Sequence, residues 1–509
     1  MMPNFITIYN LSFAYENCQE KLFDAVSFQL HRGWTGVVGA NGSGKTTLLK
    51  LLCGILKADS GALNIPESTY YCEQRTDFMP SDLDDFLKFS DTITFKLKTS
   101  LQIQDEWKDR WETLSHGERK RCQIAISLYH DPSLLAIDEP SNHLDHTSKN
   151  ILFNALKAYK GIGLLVSHDR ELLDNLCRHV LFLFPPNIDM RKCNYSTAAR
   201  EIKKENEYQI QKLLIAKQQV KKLKKKVIQQ REKAKKADKL KSKHKLNPKD
   251  HDTKSKIDLA RLTGKDAVAG RIHRRLKMQL HKAEQHQNSI KFKKSSPSGI
   301  QFKEQKAIKT FPIIIPAKVI ALGKKKKLSI PEICIPYGDK IGLIGDNGSG
   351  KSTFLNVLVM TFQLAKDQII YISQEIPIEQ SKATIERIQA YSDEKKGQIM
   401  TIISRLGSAP EHILETTVPT PGEMRKLMLA EGIMLNPSII IMDEPTNHMD
   451  LPSIQYVEKA LIDCQCTQLL VSHDHIFLRN IVNTWWAFTK EDHDHYMLVE
   501  YSHYPVIYD

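Results

Sequence analysis

An internal duplication constrains this chain more than any other feature. Gly39-Ala-Asn-Gly-Ser-Gly-Lys45-Thr46 recurs as Gly345-Asp-Asn-Gly-Ser-Gly-Lys351-Ser352, 306 positions later. Ile137-Asp-Glu-Pro-Ser-Asn-His-Leu-Asp145 recurs as Met442-Asp-Glu-Pro-Thr-Asn-His-Met-Asp450, and Val166-Ser-His-Asp169 as Val471-Ser-His-Asp474, both offset by 305. Three motifs in one order at nearly one offset require two copies of one domain, and the period is far too long for a solenoid. Each copy alternates short apolar runs with amphipathic stretches, the pattern of an α/β fold layered around a largely parallel sheet. Trp34–Gly39, Leu134–Asp138 and Gly163–Ser167 read as strands of the first copy, and Lys340–Gly345, Ile439–Asp443 and Gln468–Ser472 as strands of the second. Thr46–Leu56 and Ser352–Phe362 read as the helices that follow the glycine-rich loops. The motifs therefore fall at the carboxyl ends of strands, where open α/β sheets bind ligands. The expected domains are residues 1–190 and 301–509, with 191–300 as a linker.

Charge separates the linker from the domains. The whole chain of 509 residues has 73 Lys+Arg against 59 Asp+Glu, a net of +14. Residues 191–310 hold 36 basic and 11 acidic side chains, a net of +25, which leaves the remainder at −11. Ser196 to Leu240 contains no Pro or Gly, and its apolar residues Leu213, Val220, Leu223, Val227, Ala234 and Ala237 follow heptad spacing. About 45 helical residues span roughly 65 Å. Asn247-Pro248 breaks the helix, Gly264 and Gly270 mark a loop, and Ile272, Leu276, Leu280 and Ala283 suggest a return helix. The expectation is an antiparallel helical hairpin with an irregular tip near residues 244–270. Nine of the sixteen residues Lys221–Lys236 are basic, and Arg271, Arg274 and Arg275 extend the charge. Such a face repels itself unless it meets phosphate. With few aromatics, the expected mode is charge and shape along RNA backbone rather than base stacking.

Met1–Ala14 lacks a cationic start and apolar core, and no stretch approaches the ~18 consecutive apolar residues of a spanning helix. A cytoplasmic protein with no membrane domain is expected. The nine cysteines form no CxxC pair, and the nearest approach, Cys464 and Cys466, has no metal-site neighbours. Reduced, mostly buried thiols follow.

G-x-x-x-x-G-K-[ST] at a strand end is a phosphate cradle: backbone N–H groups and the helix N-terminus surround anionic oxygens, and the lysine reaches the β and γ phosphates. The expected contacts are Gly39, Asn41, Gly42, Ser43, Gly44, Lys45, Thr46 and Thr47, and in the second copy Gly345, Asn347, Gly348, Ser349, Gly350, Lys351, Ser352 and Thr353. Thr46 and Ser352 are the Mg²⁺ ligands of this scheme. Asp138 and Asp443 close buried strands, where an ionised carboxylate needs a cation or donors, and Mg²⁺ held directly or through water supplies one. Glu139 and Glu444 follow, placed to polarise water, and His168 and His473, each 30 residues beyond its Asp, suit a position near the γ phosphate. Gln74 and Gln374, just past Tyr-containing strands, suit Mg²⁺ or water sensing. Leu114-Ser-His-Gly-Glu118 and Pro419-Thr-Pro-Gly-Glu423 precede basic helices. Ser115, Gly117 and Glu118, with Thr420, Gly422 and Glu423, read either as phosphate contacts at a helix N-terminus or as ordinary caps.

Lysine loop, glutamine, LSxGE, DEP and SHD in this order resemble the nucleotide-binding domain of the ABC superfamily, twice over. EPSNHLD and EPTNHMD, two fused copies, a basic linker of about 100 residues and no membrane domain resemble the ABC-F class. The resemblance implies an ATP hydrolase whose two P-loop domains close as an intramolecular head-to-tail dimer over two ATP and Mg²⁺. Each ATP then lies between one loop and the opposite signature segment: Lys45, Thr46, Gln74, Asp138, Glu139 and His168 with Thr420–Glu423, and Lys351, Ser352, Gln374, Asp443, Glu444 and His473 with Ser115–Glu118. Pro421 removes a backbone donor from the segment facing the first site, so weaker engagement is expected there. The family's adenine-stacking aromatic matches Tyr15 in the first half and has no match in Val319–Lys327. The linker of such proteins enters the ribosomal E site toward the peptidyl-transferase centre, so the implied partner is the ribosome, through rRNA and P-site tRNA. The roughly 40 positions between Gln74 and Leu114 leave no room for the arm insertion of some housekeeping members. That is similar to antibiotic-resistance members, which displace ribosome-bound drugs. A translation factor is the alternative. A transporter's tandem ATPase, joined by a short linker, and a DNA-repair ABC ATPase, with far longer coiled coils, fit less well.

Overall fold

The computed structural model describes residues 5–16, 20–89, 91–142, 144–240, 265–289, 311–322, 326–362, 364–408, 419–492 and 495–505. The chain forms two compact units, Met1–Ala198 with Ser296–Asp509, and Ala199–Ser295. Among the described residues no helix is long and apolar enough to cross a membrane.

The first unit holds both duplicated halves. Leu134–Asp138 and Ile162–Val166 are buried at every position, which is why they read as unbroken apolar runs. They lie inside a six-stranded sheet in the order Thr69–Cys72, Leu134–Asp138, Ile162–Val166, Gly33–Gly39, Cys177–Phe184, Asn187–Arg191, parallel except for the last pairing. The second half repeats this order with Ile369–Ile372, Ile439–Asp443, Thr467–Val471, Lys340–Ile344, Thr484–Asp492 and His495–Tyr501. The halves differ at the outer hairpin. In the first, Phe5–Phe13, Phe23–His31 and Ser60–Leu63 form a separate antiparallel sheet. In the second, Lys318–Leu322 and Lys326–Ile330 join the main sheet through His495–Met497.

The loop helices run Lys45–Leu52 and Lys351–Thr361. The first stops four residues short of the expected Leu56, because Cys53 caps it and Gly54 turns the chain at φ +73°. The loops themselves depend on Gly44 and Gly350, which hold left-handed φ of +88° and +96° as N-caps. A Cβ there would also lie 2.7 Å from Leu22 and 2.5 Å from Leu322. Of the described cysteines, Cys72, Cys122, Cys177, Cys464 and Cys466 are buried, and Cys334 is exposed.

The second unit is helical. A 46-residue helix, Tyr195–Leu240, whose first four residues belong to the first unit, supplies one arm of the hairpin, and Lys265–Ser289 the return. Val220 is buried, Leu213, Leu223, Val227, Leu276, Leu280 and Ala283 are half-buried, and Lys224 meets Glu284 at 3.0 Å across the pair. Ala234 and Ala237 fall outside the described side chains. Ile272, expected on the seam, is exposed. The expected tip up to residue 264 lies outside the described residues. From Lys265 the chain is already helical through Gly270, since one glycine costs a helix only ~1 kcal/mol and Ala267 and Ala269 are strong helix formers.

Candidate functional site

Both glycine loops wrap the N-terminus of a helix in the way an anion requires. Lys45 Nζ lies on the carbonyls of Gly39 and Ala40 at 3.0 and 3.4 Å, and Lys351 Nζ on those of Gly345 and Asp346 at 2.7 and 2.9 Å. Burial holds both ammonium groups below their ordinary pKa, so carbonyl dipoles are weak compensation and an anionic ligand is the better one. Ser43 and Ser349 present hydroxyls that are buried and without a partner among the described residues. Asn41, Gly42 and Thr46 are exposed in the first loop, and Asn347, Gly348, Ser352 and Thr353 in the second. Thr47 is buried and its Oγ1 lies 2.8 Å from the Tyr15 hydroxyl, which leaves the half-exposed Tyr15 ring beside the loop helix. In the second half only three residues separate the outer strands, and Lys326 Nζ lies 3.5 Å from the Gly348 carbonyl in place of an aromatic ring.

The carboxylates meet the loops at the strand ends. Thr46 Oγ1 donates to Asp138 Oδ2 at 2.6 Å and Tyr71 Oη to the same oxygen at 3.3 Å. Ser352 bonds Asp443, whose carboxyl burial holds above its ordinary range. A hydroxyl and a carboxylate oxygen converging at the loop helix fit a hard, oxygen-seeking cation such as Mg²⁺. Gln74 and Gln374 are exposed just beyond Thr69–Cys72 and Ile369–Ile372.

Glu139 and Glu444 share an unusual backbone, with φ of +46° and +50°, and their N–H groups bond Val166 and Val471 carbonyls at 2.9 and 2.8 Å. Left-handed φ in a non-glycine residue costs of order 1–3 kcal/mol, and its recurrence in both copies marks an imposed geometry. Each Oε2 accepts from the backbone N–H of His168 or His473 at 3.3 Å, which ties the glutamate to the SHD turn. The Oε1 atoms lie 3.0 Å from His168 Nε2 and 3.5 Å from His473 Nε2. Neither contact is aligned as a hydrogen bond, and both oxygens count as buried and unpartnered. Burial raises Glu139 to about 8 and Glu444 to about 7. It lowers His168 to about 3 and His473 well below its ordinary value. Both histidines are therefore neutral near pH 7, and neither contact is an ion pair.

Ser115 and Thr420 are helix caps. Each closes a capping box with Glu118 or Glu423, with N–H to carboxylate distances of 2.8 and 2.9 Å. Pro421 occupies the first turn, where its missing N–H is one that the helix leaves unpaired. Gly117 and Gly422 pack against Leu144 and the His448 carbonyl of their own halves. The His448–Asp450 segment then crosses to the other half. Asn41 N donates to Asp450 Oδ2 at 2.6 Å, and Asn41 Nδ2 lies 3.5 Å from the His448 carbonyl. Among the described residues, Thr420, Gly422 and Glu423 thus reach the first loop through this segment rather than by a direct hydrogen bond. Asp145 caps its helix through Ser148 N, and Asn347 Oδ1 meets His473 Nε2 at 3.0 Å.

Sequence reasoning missed a matched pair of buried cations. Lys120 bonds the Glu73 carbonyl and lies 3.4 Å from the Asp138 carbonyl; Arg425 bonds the Gln374 carbonyl and, at 2.5 Å, the Asn447 carbonyl. They fix each glutamine segment to the helix after its signature, and their recurrence at the 305-residue offset was the available signal.

Two loops facing carboxylate strands, with capped signature helices and a crossing segment, define a tandem P-loop ATPase. A family model described as ABC transporter matches residues 23–142 and 328–447. The chain carries the ABC ATP-binding domain twice, and it is an ATP hydrolase of the ABC type, related to the ABC-F proteins. It is 26% identical over 509 residues to the ribosome protection protein VmlR of Bacillus subtilis, covering 95% of this chain and 86% of the relative. It is 27% identical over 469 residues to the erythromycin resistance ATP-binding protein MsrA of Staphylococcus epidermidis, covering 90% and 92%. Among solved structures, a complex of archaeal ribosomal stalk protein aP1 and ribosome recycling factor aABCE1 matches with a TM-score of 0.59 and 17% identity, over 96% of this chain and 89% of that one. The last likeness concerns the fold.

Proposed function

We propose that this chain is a ribosome-bound ATPase switch that protects ribosomes from antibiotics. Two ATP molecules with Mg²⁺ close the halves, residues 1–190 and 301–509. The basic hairpin, 191–300, enters the E site toward the peptidyl-transferase centre and P-site tRNA and displaces bound drug, and hydrolysis releases it. Thr46, Gln74 and Asp138, and Ser352, Gln374 and Asp443, hold Mg²⁺, which neutralises phosphate charge when bound. Once ionised, Glu139 and Glu444 accept a proton from the attacking water, and His168 and His473 orient the γ phosphate.

One observation carries the switch: the root of the basic helix is tied to both halves. Ser196 N donates to Asp174 Oδ1 of the first half at 2.7 Å, while Tyr195 Oη accepts from Gln455 Nε2 of the second at 3.1 Å. Closure of the halves therefore acts directly on the start of the hairpin. The names of the two relatives and the +25 charge of residues 191–310 support a ribosomal partner and drug protection. The test is drug susceptibility of a sensitive bacterium expressing the chain, across lincosamides, streptogramins A, pleuromutilins, macrolides and phenicols. Protection against at least one class, lost in Lys45→Ala/Lys351→Ala, is expected. No change in any class favours the translation-factor reading.

A further inference from the structure

The halves meet in a largely buried polar network whose key residues the duplication does not repeat. Lys149, on the first-half helix His146–Lys157, donates from Nζ to the His473 carbonyl of the second half at 3.1 Å. The same Nζ lies 2.7 Å from Asp169 Oδ2 of its own half. Arg170, next in the chain, bonds Glu458 Oε2 of the second half at 2.6 Å, with Asp474 Oδ2 at 3.9 Å. Asp169 and Asp474 are both held from their other side, each capping the helix that follows its histidine. One cavity between the halves is lined by Lys149, His168, Asp169, Glu444, Ile454 and His473.

The 305-residue offset shows what is missing. Lys149 falls on Ile454 and Arg170 on His475. Ile454 is buried and its side chain has no donor to offer the His168 carbonyl, so among the described residues the cross-link onto a histidine turn is made toward the second site alone. His473 is also the residue that holds the second site together. Its N–H bonds Glu444 Oε2 at 3.3 Å and its Nε2 meets Asn347 of the second loop at 3.0 Å. A donor fixed on its carbonyl therefore fixes the glutamate and the loop relative to each other. Because that donor belongs to the opposite half, it is in place only while the halves are closed.

We propose that Lys149 is a positioning residue, supplied by the first half, that assembles the second ATP site through the His473 turn, while the first site works without a counterpart. The ordinary reading of Lys149 is a stabilising ion pair with Asp169. Because Asp169 adjoins His168, that reading predicts a loss at the first site at least as large as at the second. The inference rests on ATP hydrolysis and not on the ribosomal partner, so its test uses the full chain without ribosomes.

In a Glu139→Gln background only the second site hydrolyses, and in Glu444→Gln only the first. Lys149→Met is expected to lower kcat in the first background at least about tenfold, the usual effect of losing a charged hydrogen bond, with KM for ATP changed far less. The loss in the second background is expected to be at least fivefold smaller (roughly). Lys149→Arg, which keeps a cationic donor, recovers most of the second-site rate. Equal losses in both backgrounds, a larger loss at the first site, or no loss at the second overturns the proposal. Lys149→Gln, read in the same way, serves if Lys149→Met does not fold.

Discussion

Replacing Asp450 by asparagine separates two jobs that its carboxylate does at once. Oδ1 caps the helix Leu451–Asp463 by accepting from Ser453 N at 2.8 Å, and Oδ2 accepts from Asn41 N of the first loop at 2.6 Å. Burial alone would raise the Asp450 pKa, yet the Ser453 and Asn41 donors and the nearby Lys426 ammonium hold it below its ordinary value, so the group is ionised near neutral pH. Asparagine keeps one carbonyl oxygen for the cap but turns an NH₂ toward Asn41 N, placing donor against donor. The capping contribution of ~1 kcal/mol is retained, while a charged hydrogen bond worth about 1.5–3 kcal/mol is lost from closure over the first loop. That corresponds to a closure equilibrium weaker by about 10- to 150-fold. The assay is the ATP concentration for half-maximal turnover in a Glu444→Gln background, where only the first site hydrolyses. Asp450→Asn should raise it at least about tenfold with little change in melting temperature. Asp145→Asn, read in a Glu139→Gln background, should have a much smaller effect, since Asp145 bonds Ser148 N and its Oδ2 carries no such bond to Asn347. An unchanged ATP requirement in Asp450→Asn, or an equal shift in Asp145→Asn, would refute the reasoning.

Two further outcomes follow from the buried glutamates and the unequal signature segments. Because Glu139 and Glu444 bind a proton more tightly folded than unfolded, their contribution to stability falls as pH rises from the ordinary carboxylate range near 4.5 through about 7 to 8. Calorimetric melting of the nucleotide-free chain from pH 5 to 8 should therefore decline less steeply in Glu139→Gln/Glu444→Gln than in the native sequence; superimposable slopes would contradict the burial argument. Turnover of the two single variants should differ, with Glu444→Gln the slower because its active first site faces Pro421. Equal rates would mean that the missing Pro421 donor is immaterial.

The sequence was informative wherever function lies in a short run of neighbours. Leu134–Asp138 and Ile439–Asp443 have the expected limits because a strand buried on both faces has no polar interruptions. The loops, Asp-Glu pairs and histidine turns lie together at the ends of these strands, as the motif order implied. Contacts between distant positions were not legible. Asn41 and Asp450 are 409 residues apart, and Lys149 and His473 are 324 apart, so no periodicity registers them. Ser115 and Thr420 could be read as caps or as phosphate contacts, and the capping boxes account for their hydroxyls in the structure. Lys120 and Arg425 are two of several charges on the basic helices after the signature segments, and nothing in the local sequence sets them apart. Only their burial shows that each anchors a glutamine segment through its carbonyls. The return helix extends farther toward the tip than Gly270 suggested, since a single glycine is a weak breaker inside a favourable run.

The central claim is that ATP-driven closure docks a basic hairpin on the ribosome, and trapping the closed state tests it most directly. Glu139→Gln/Glu444→Gln binds ATP without completing hydrolysis, so with ATP it should co-sediment with 70S ribosomes at low salt. Binding should weaken steeply as salt rises, as phosphate contacts by the hairpin require. A trapped double variant that stays in the supernatant at low salt, or that binds equally well without ATP, would contradict the account.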